Sequence, residues 1–169
     1  FYFNNEGIFS PGPPIGTMDA ATFQSLPIDV DVDGDLDLYL VNDFGPFIEP
    51  NELLINDGSG GFSLAEDCVC ELSMFGMGAT ASDFDNDGLV DVHVSNFGSP
   101  RLLRSLSPGQ FVDTTLASGA YVEPSSDRVT SWGTVFVDID GDGWDELATV
   151  YGTVVVGIPG DWTDHIDHP

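Results

Sequence analysis

Three times along the chain, a run of apolar or small residues gives way to an acidic loop and then to strictly alternating side chains. The runs are FQSLPI before Asp29, MGATAS before Asp83 and GTVFV before Asp138. From the loop ends onward, Leu36, Leu38 and Leu40 share one side, as do Val90, Val92 and Val94, with Leu147 and Thr149 in the matching places of the third copy. A period of two, rich in Val, Leu and Tyr, predicts strands on both sides of each loop. The copies stay parallel further on. NELLINDGSGGFSLAE (51–66) answers PRLLRSLSPGQFVDTT (100–115), each predicting a hairpin with a Gly-containing turn. The opening FYFNNEGIFS reads as the same hairpin from a preceding unit whose front half is missing. No segment carries a helical period.

One unit is therefore strand, acidic loop, strand, turn, strand, turn, strand, and the loops begin at Asp29, Asp83 and Asp138, 54 and 55 residues apart. A β-sandwich would show irregular spacing and no repeated motif. Four short antiparallel strands at a fixed period, a little above the common ~40–50 residues, predict an all-β fold of β-propeller blades. The expected units are the last hairpin of a preceding blade (1–15) and a blade at 16–67 with its loop at 29–37. A second blade follows at 68–121 with its loop at 83–91, and a third at 122–169 with its loop at 138–146 and a C-terminal tail. About three blades cannot close a ring that takes at least ~4. The expectation is a partial propeller, cut or processed from something larger, and completed by further blades or by another copy of the chain.

The loops carry the chemistry. DVDVDGDLD, DFDNDGLVD and DIDGDGWDE share Asp at positions 1, 3 and 5, Gly at position 6 and a carboxylate at position 9. Crowded like charges repel, and their repulsion is relieved when a cation sits among them. This spacing wraps oxygen ligands around a hard ion: side chains at 1, 3, 5 and 9, a backbone carbonyl at 7, and Gly for the sharp turn. Oxygen-only ligation by a flexible multi-carboxylate loop points to Ca²⁺, about three ions in all. The candidate ligands are Asp29, Asp31, Asp33, Asp35 and Asp37; then Asp83, Asp85, Asp87, Leu89 and Asp91; then Asp138, Asp140, Asp142, Trp144 and Glu146. Asp35, Leu89 and Trp144 enter through their carbonyls. An EF-hand uses the same first nine positions but needs flanking helices and a Glu at position 12. Here position 12 is Leu40, Val94 or Thr149. Plain Asp-rich turns compete with the metal reading, but they have no need of a carboxylate at position 9 three times over.

Charge sharpens this picture. There are 29 acidic residues against three basic ones, Arg101, Arg104 and Arg128, for a formal net charge of −26. Such an excess strains a compact fold unless cations bind, and it argues against nucleic acid and anionic lipid as partners. Disordered acidic chains are poor in aromatics, whereas this one has twelve Phe, four Tyr and three Trp. No apolar run is long enough to span a bilayer. Arg101 and Arg104 fall where the first unit has Asn51 and Leu54, free either to pair with the acidic loops or to project as a contact point.

Other chemistry is thin. Cys68 and Cys70 form a C-x-C pair for which a direct bridge is strained. The expectation is two small packed side chains or bridges to absent partners. His93 follows the second loop on Asp91's side of its strand and reads as packed rather than as a general base. His165 and His168 read as tail residues, and Trp132, Trp144 and Trp162 as blade packing, with sugar stacking the rival reading. No G-x-S-x-G or HExxH motif is present, so the expectation is a non-enzyme.

The residues GMGATASDFDNDGLVDVHVSN (76–96) and NELLINDGSGGF (51–62), with Phe75-Gly76 and Gly78-Ala79, resemble the FG-GAP/VCBS repeats of integrin α-subunit propellers. The resemblance runs to about Gly157 and is closest to a secreted group with ASPIC/UnbV-type C-termini that includes cartilage acidic protein. It implies a seven-bladed parent, and an extracellular scaffold for adhesion or ligand recognition in which Ca²⁺ rigidifies the loops. Its partners would be an extracellular protein or carbohydrate. The alternative is the propeller domain of a secreted carbohydrate-active enzyme or lectin. The first unit departs from the pattern at Gln24, where the others have Gly78 and Gly133, so its first strand is expected to pack differently.

Overall fold

The computed structural model describes residues 1–65, 68–121 and 129–153. Arg128, Trp162, His165, His168 and the expected closing hairpin of the third unit lie outside them. The described residues are all-β, in twelve strands: β1 (Tyr2–Asn5), β2 (Ile8–Pro11), β3 (Ala21–Ile28), β4 (Asp37–Asp43), β5 (Glu52–Asn56), β6 (Phe62–Leu64), β7 (Gly76–Ser82), β8 (Asp91–Asn96), β9 (Arg101–Ser107), β10 (Gln110–Asp113), β11 (Val129–Val137) and β12 (Glu146–Thr153).

Two four-stranded sheets run β3-β4-β5-β6 and β7-β8-β9-β10, every neighbouring pair antiparallel. The β11–β12 pair repeats the first half of such a sheet, and β1–β2 forms a separate hairpin. These are the blades of a partial β-propeller. The first strands β3, β7 and β11 lie side by side, and each carries a register shift at a matching point: between Thr22 and Gln24, Gly76 and Gly78, and Ser131 and Thr134. A bulge at one place in every inner strand bends it and increases its local twist.

The core lies between the first two sheets rather than inside either. Tyr39, Val41 and Leu53 on one face of the first pack against Ala79, Val92, Val94 and Leu103 on the facing side of the second, with Cys70, Met74 and Phe111 closing the layer. The alternation around Leu38 and Leu40 picked out one buried face, but the odd residues of β4 are buried as well. A blade sandwiched between neighbours must be apolar on both sides, whereas Leu36, still in the loop, is exposed.

Polar seams join neighbouring blades. Gln24 Nε2 donates to the carbonyl of Ala79 at 3.0 Å, and the Ala79 N–H donates to Gln24 Oε1 at 2.8 Å. Ser95 Oγ donates to the Trp132 carbonyl at 2.6 Å. Gln24 is thus the different packing expected of the first unit: its amide fills the room left by Gly78, whose missing Cβ would stand 3.1 Å from Gln24 Oε1.

Between the blades, Cys68 and Cys70 are joined in a disulfide. This corrects the expectation of two packed side chains or bridges to absent partners. The bridge closes a tight turn whose Cys70 carbonyl accepts the hydroxyl of the buried Tyr39 at 2.8 Å, so the segment is pinned across the face of the first blade.

Candidate metal centres

The three loops leave the ends of β3, β7 and β11 on the same edge of their sheets and enter β4, β8 and β12. Each is folded by the same three hydrogen bonds. The N–H of the Gly at position 6 donates to the carboxylate at position 1: Gly34 to Asp29 at 3.1 Å, Gly88 to Asp83 at 2.8 Å, Gly143 to Asp138 at 3.0 Å. The N–H at position 7 donates to the carboxylate at position 5: Asp35 to Asp33 at 2.9 Å, Leu89 to Asp87 at 3.0 Å, Trp144 to Asp142 at 2.9 Å. The N–H at position 2 donates to the carboxylate at position 9: Val30 to Asp37 at 2.9 Å, Phe84 to Asp91 at 3.1 Å, Ile139 to Glu146 at 2.8 Å.

Position 9 does more than close the loop. Asp37 and Asp91 are 1% and 0% exposed, and their second oxygens accept N–H groups from the third strand of their own sheet, Asn56 at 2.8 Å and Ser105 at 2.8 Å. The spacing had marked these residues as ligands; the structure adds that they staple the loop to the blade. Burial pushes the Asp91 carboxyl up to about 6, against the pull of the Ser105 and Phe84 N–H groups. Burial and then the charge of Asp33 push Asp31 upward too.

The glycines at position 6 take positive φ values of 96°, 90° and 92°. Position 4 is left-handed as well, at Val32 (63°), Asn86 (57°) and Gly141 (78°). The sequence reading passed over this position. Asn and Gly there in two copies were the available signal, since both tolerate this conformation.

Three acidic groups converge closely enough to hold a cation: Asp29, Asp31 and Asp33; Asp83, Asp85 and Asp91; Asp138, Asp140 and Glu146. Asp37, Asp87 and Asp142 stand outside these sets, each with a carboxylate oxygen taken by a backbone N–H. The convergence fits a hard cation on one further observation. Oδ1 of Asp29 and Oδ1 of Asp85 are buried and have no hydrogen-bond partner. A buried carboxylate oxygen without a donor is costly, and an ion among these side chains removes the cost. Position 12, Leu40 or Val94, is buried in a strand rather than presented to the loop.

Arg104 approaches the second loop, its Nε 2.5 Å from Asp85 Oδ2 and its Nη2 3.0 Å from Asp87 Oδ2. Asp87 and Asp85 push its guanidinium upward in turn. Arg101 pairs instead with Asp113 at 3.4 Å. The strand register corrects their alignment: Leu54 and Leu103 are the partners of Leu38 and Val92, so Arg101 and Arg104 take the places of Glu52 and Ile55, not of Asn51 and Leu54.

Loops two and three also touch. Ser82 Oγ donates to Asp145, and Asn86 Nδ2 to the Gly143 carbonyl at 3.4 Å. Behind them His93 is buried, its Nδ1 2.8 Å from Thr134 Oγ1. Burial pushes it down to about 4. It lines a cavity of about 450 Å³ between the second and third blades, with the stacked rings of Phe84 and Phe136 beside it.

Repeated four-stranded blades, each with a nine-residue acidic loop at one edge, define a propeller repeat with clustered carboxylates. The profile of the FG-GAP-like repeat matches residues 29–94 and again 83–149, each match running from one acidic loop into the strand beyond the next. The chain belongs to the FG-GAP-like repeat family. No curated protein matches it.

Proposed function

We propose that this chain is a calcium-binding, extracellular stretch of propeller that serves as a scaffold for adhesion or ligand recognition, of the integrin-like and ASPIC/UnbV-associated kind its repeats resemble. The observation that carries the proposal is the threefold recurrence of one loop architecture around converging carboxylates, two of them with buried, unpartnered oxygens. Asp29, Asp31 and Asp33 would hold one ion, Asp83, Asp85 and Asp91 a second, and Asp138, Asp140 and Glu146 a third. The carbonyls of Asp35, Leu89 and Trp144 complete the oxygen donors. The ion supplies charge compensation and rigidity. The chain's own residues do the rest: they fix the loop on the blade edge and aim the free oxygens.

Two further features favour an extracellular setting. Loops of this kind suit the millimolar calcium of that compartment, and the Cys68–Cys70 disulfide suits an oxidising one. Three ions would add six charges, moving −26 to −20, which leaves a surface suited to a basic protein partner.

The test is thermal unfolding of the metal-stripped chain in Mg²⁺, followed by titration with Ca²⁺. A large, Ca²⁺-selective rise in Tm supports the reading, because a ligand that binds only the folded state stabilises it by mass action. No shift, or an equal shift with Mg²⁺, would reduce the loops to acidic turns.

A further inference from the structure

The three loops share their hydrogen bonds but not their charge. Loop one carries five carboxylates (Asp29, Asp31, Asp33, Asp35 and Asp37), and loop three carries five (Asp138, Asp140, Asp142, Asp145 and Glu146). Loop two carries four, Asp83, Asp85, Asp87 and Asp91, and Arg104 reaches two of them. The formal charges are therefore −5, −3 and −5. Among the described residues no basic side chain pairs with loop one or loop three, since Arg101 is engaged with Asp113 on β10.

We infer that Arg104 is an affinity-setting residue which makes the second loop the weakest of the three calcium sites and holds that loop in shape before an ion arrives. This inference rests on the calcium reading above. It follows from where the guanidinium sits. Arg104 takes Oδ2 of Asp85 and leaves Oδ1 buried and unpartnered, so Asp85 can offer an ion one oxygen rather than two. It also takes Oδ2 of Asp87, whose Oδ1 already accepts the Leu89 N–H at 3.0 Å, so both oxygens of that side chain are engaged. A fixed positive charge behind two carboxylates repels an incoming divalent ion, and affinity in such loops follows the number of ligand charges and the rigidity of the site. In the first blade the same place is held by Ile55, which supplies no competing charge. The consequence is graded occupancy. Loops one and three fill first and loop two fills last, so the edge of the second blade responds to calcium over a higher range than its neighbours.

The test is calorimetric titration of CaCl₂ into the metal-stripped full chain, alongside Arg104→Ile, Arg104→Gln and Arg101→Ile, with folding checked by circular dichroism. The wild type is expected to show two tighter sites and one weaker by about tenfold or more. Either Arg104 variant should tighten the weak site by about tenfold, and Arg101→Ile should leave all three unchanged. Arg104→Gln keeps a polar side chain of similar reach, so the test survives if the isoleucine variant fails to fold. Three equal sites in the wild type, or a weak site that both Arg104 variants leave unchanged, overturns the role of Arg104 while leaving the calcium reading intact. No calcium heat in any of the four proteins overturns both.

Discussion

The backbone N–H of Asn56 on β5 donates to Oδ1 of Asp37 at 2.8 Å, although Asp37 belongs to a loop nineteen residues earlier. Its other oxygen accepts the N–H of Val30 at 2.9 Å. One buried carboxylate therefore joins the start of the loop, its end and the third strand. Asp91 repeats the arrangement with Phe84 and Ser105.

That arrangement separates stapling from ligation. Asp37→Asn puts an amide donor against one of two buried N–H groups, and leaving such a group unsatisfied costs about 1–3 kcal/mol. Urea unfolding in EDTA should show this loss with no calcium present. Asp140→Asn, on an exposed loop residue, should move metal-free stability by no more than about 0.5 kcal/mol yet reduce the Ca²⁺-dependent rise in Tm.

Val32 holds a left-handed backbone, φ 63°, at an exposed position. A β-branched residue is strained there by about 1–2 kcal/mol, while the equivalent Asn86 belongs to a type that visits this region readily. Val32→Asn should raise the urea midpoint, with a gain of about 1 kcal/mol and an unchanged m-value. A fall in the midpoint would show that the valine side chain matters more than the backbone strain.

Gln24 ties the first inner strand to the second through both Ala79 backbone groups. Gln24→Ala strands an N–H and a carbonyl at the seam and should cost about 1–3 kcal/mol. Amide hydrogen exchange should show the loss of protection at Ala79, whereas loop amides such as Gly34 keep theirs.

Gly76 lies against the first blade. A Cβ there would stand 2.6 Å from Val41 Cγ1 and 3.0 Å from the Asn42 carbonyl oxygen. Gly76→Ala should therefore destabilise the chain by about 1–3 kcal/mol through overpacking. Adding the same methyl at Gly109, where nothing stands within 4 Å but φ is 72°, tests backbone strain alone and should cost about 1 kcal/mol.

How far the sequence reaches can be judged at these same residues. The acidic loops were legible because Asp and Gly recur at fixed positions, and residue identity alone reports that. The left-handed position 4 was not, because three different residues, Val32, Asn86 and Gly141, occupy it. Alternation located β4 and β8 but could not show that Tyr39 and Val41 face a second sheet, since a strand's period identifies its sides and not what covers them. Gln24 stood out as a departure, while its partner Ala79 lies 55 residues away. Sequence order alone sets Arg104 one residue out of register, which hides its equivalence to Ile55 and its approach to Asp85.

The central claim is that three loops of one architecture each take a calcium ion. The most direct measurement is the number of ions retained by the metal-stripped chain after equilibrium dialysis against millimolar Ca²⁺ with excess Mg²⁺, counted by atomic emission. The account predicts about three calcium ions per chain. Retention of none, or replacement of calcium by magnesium, would contradict it.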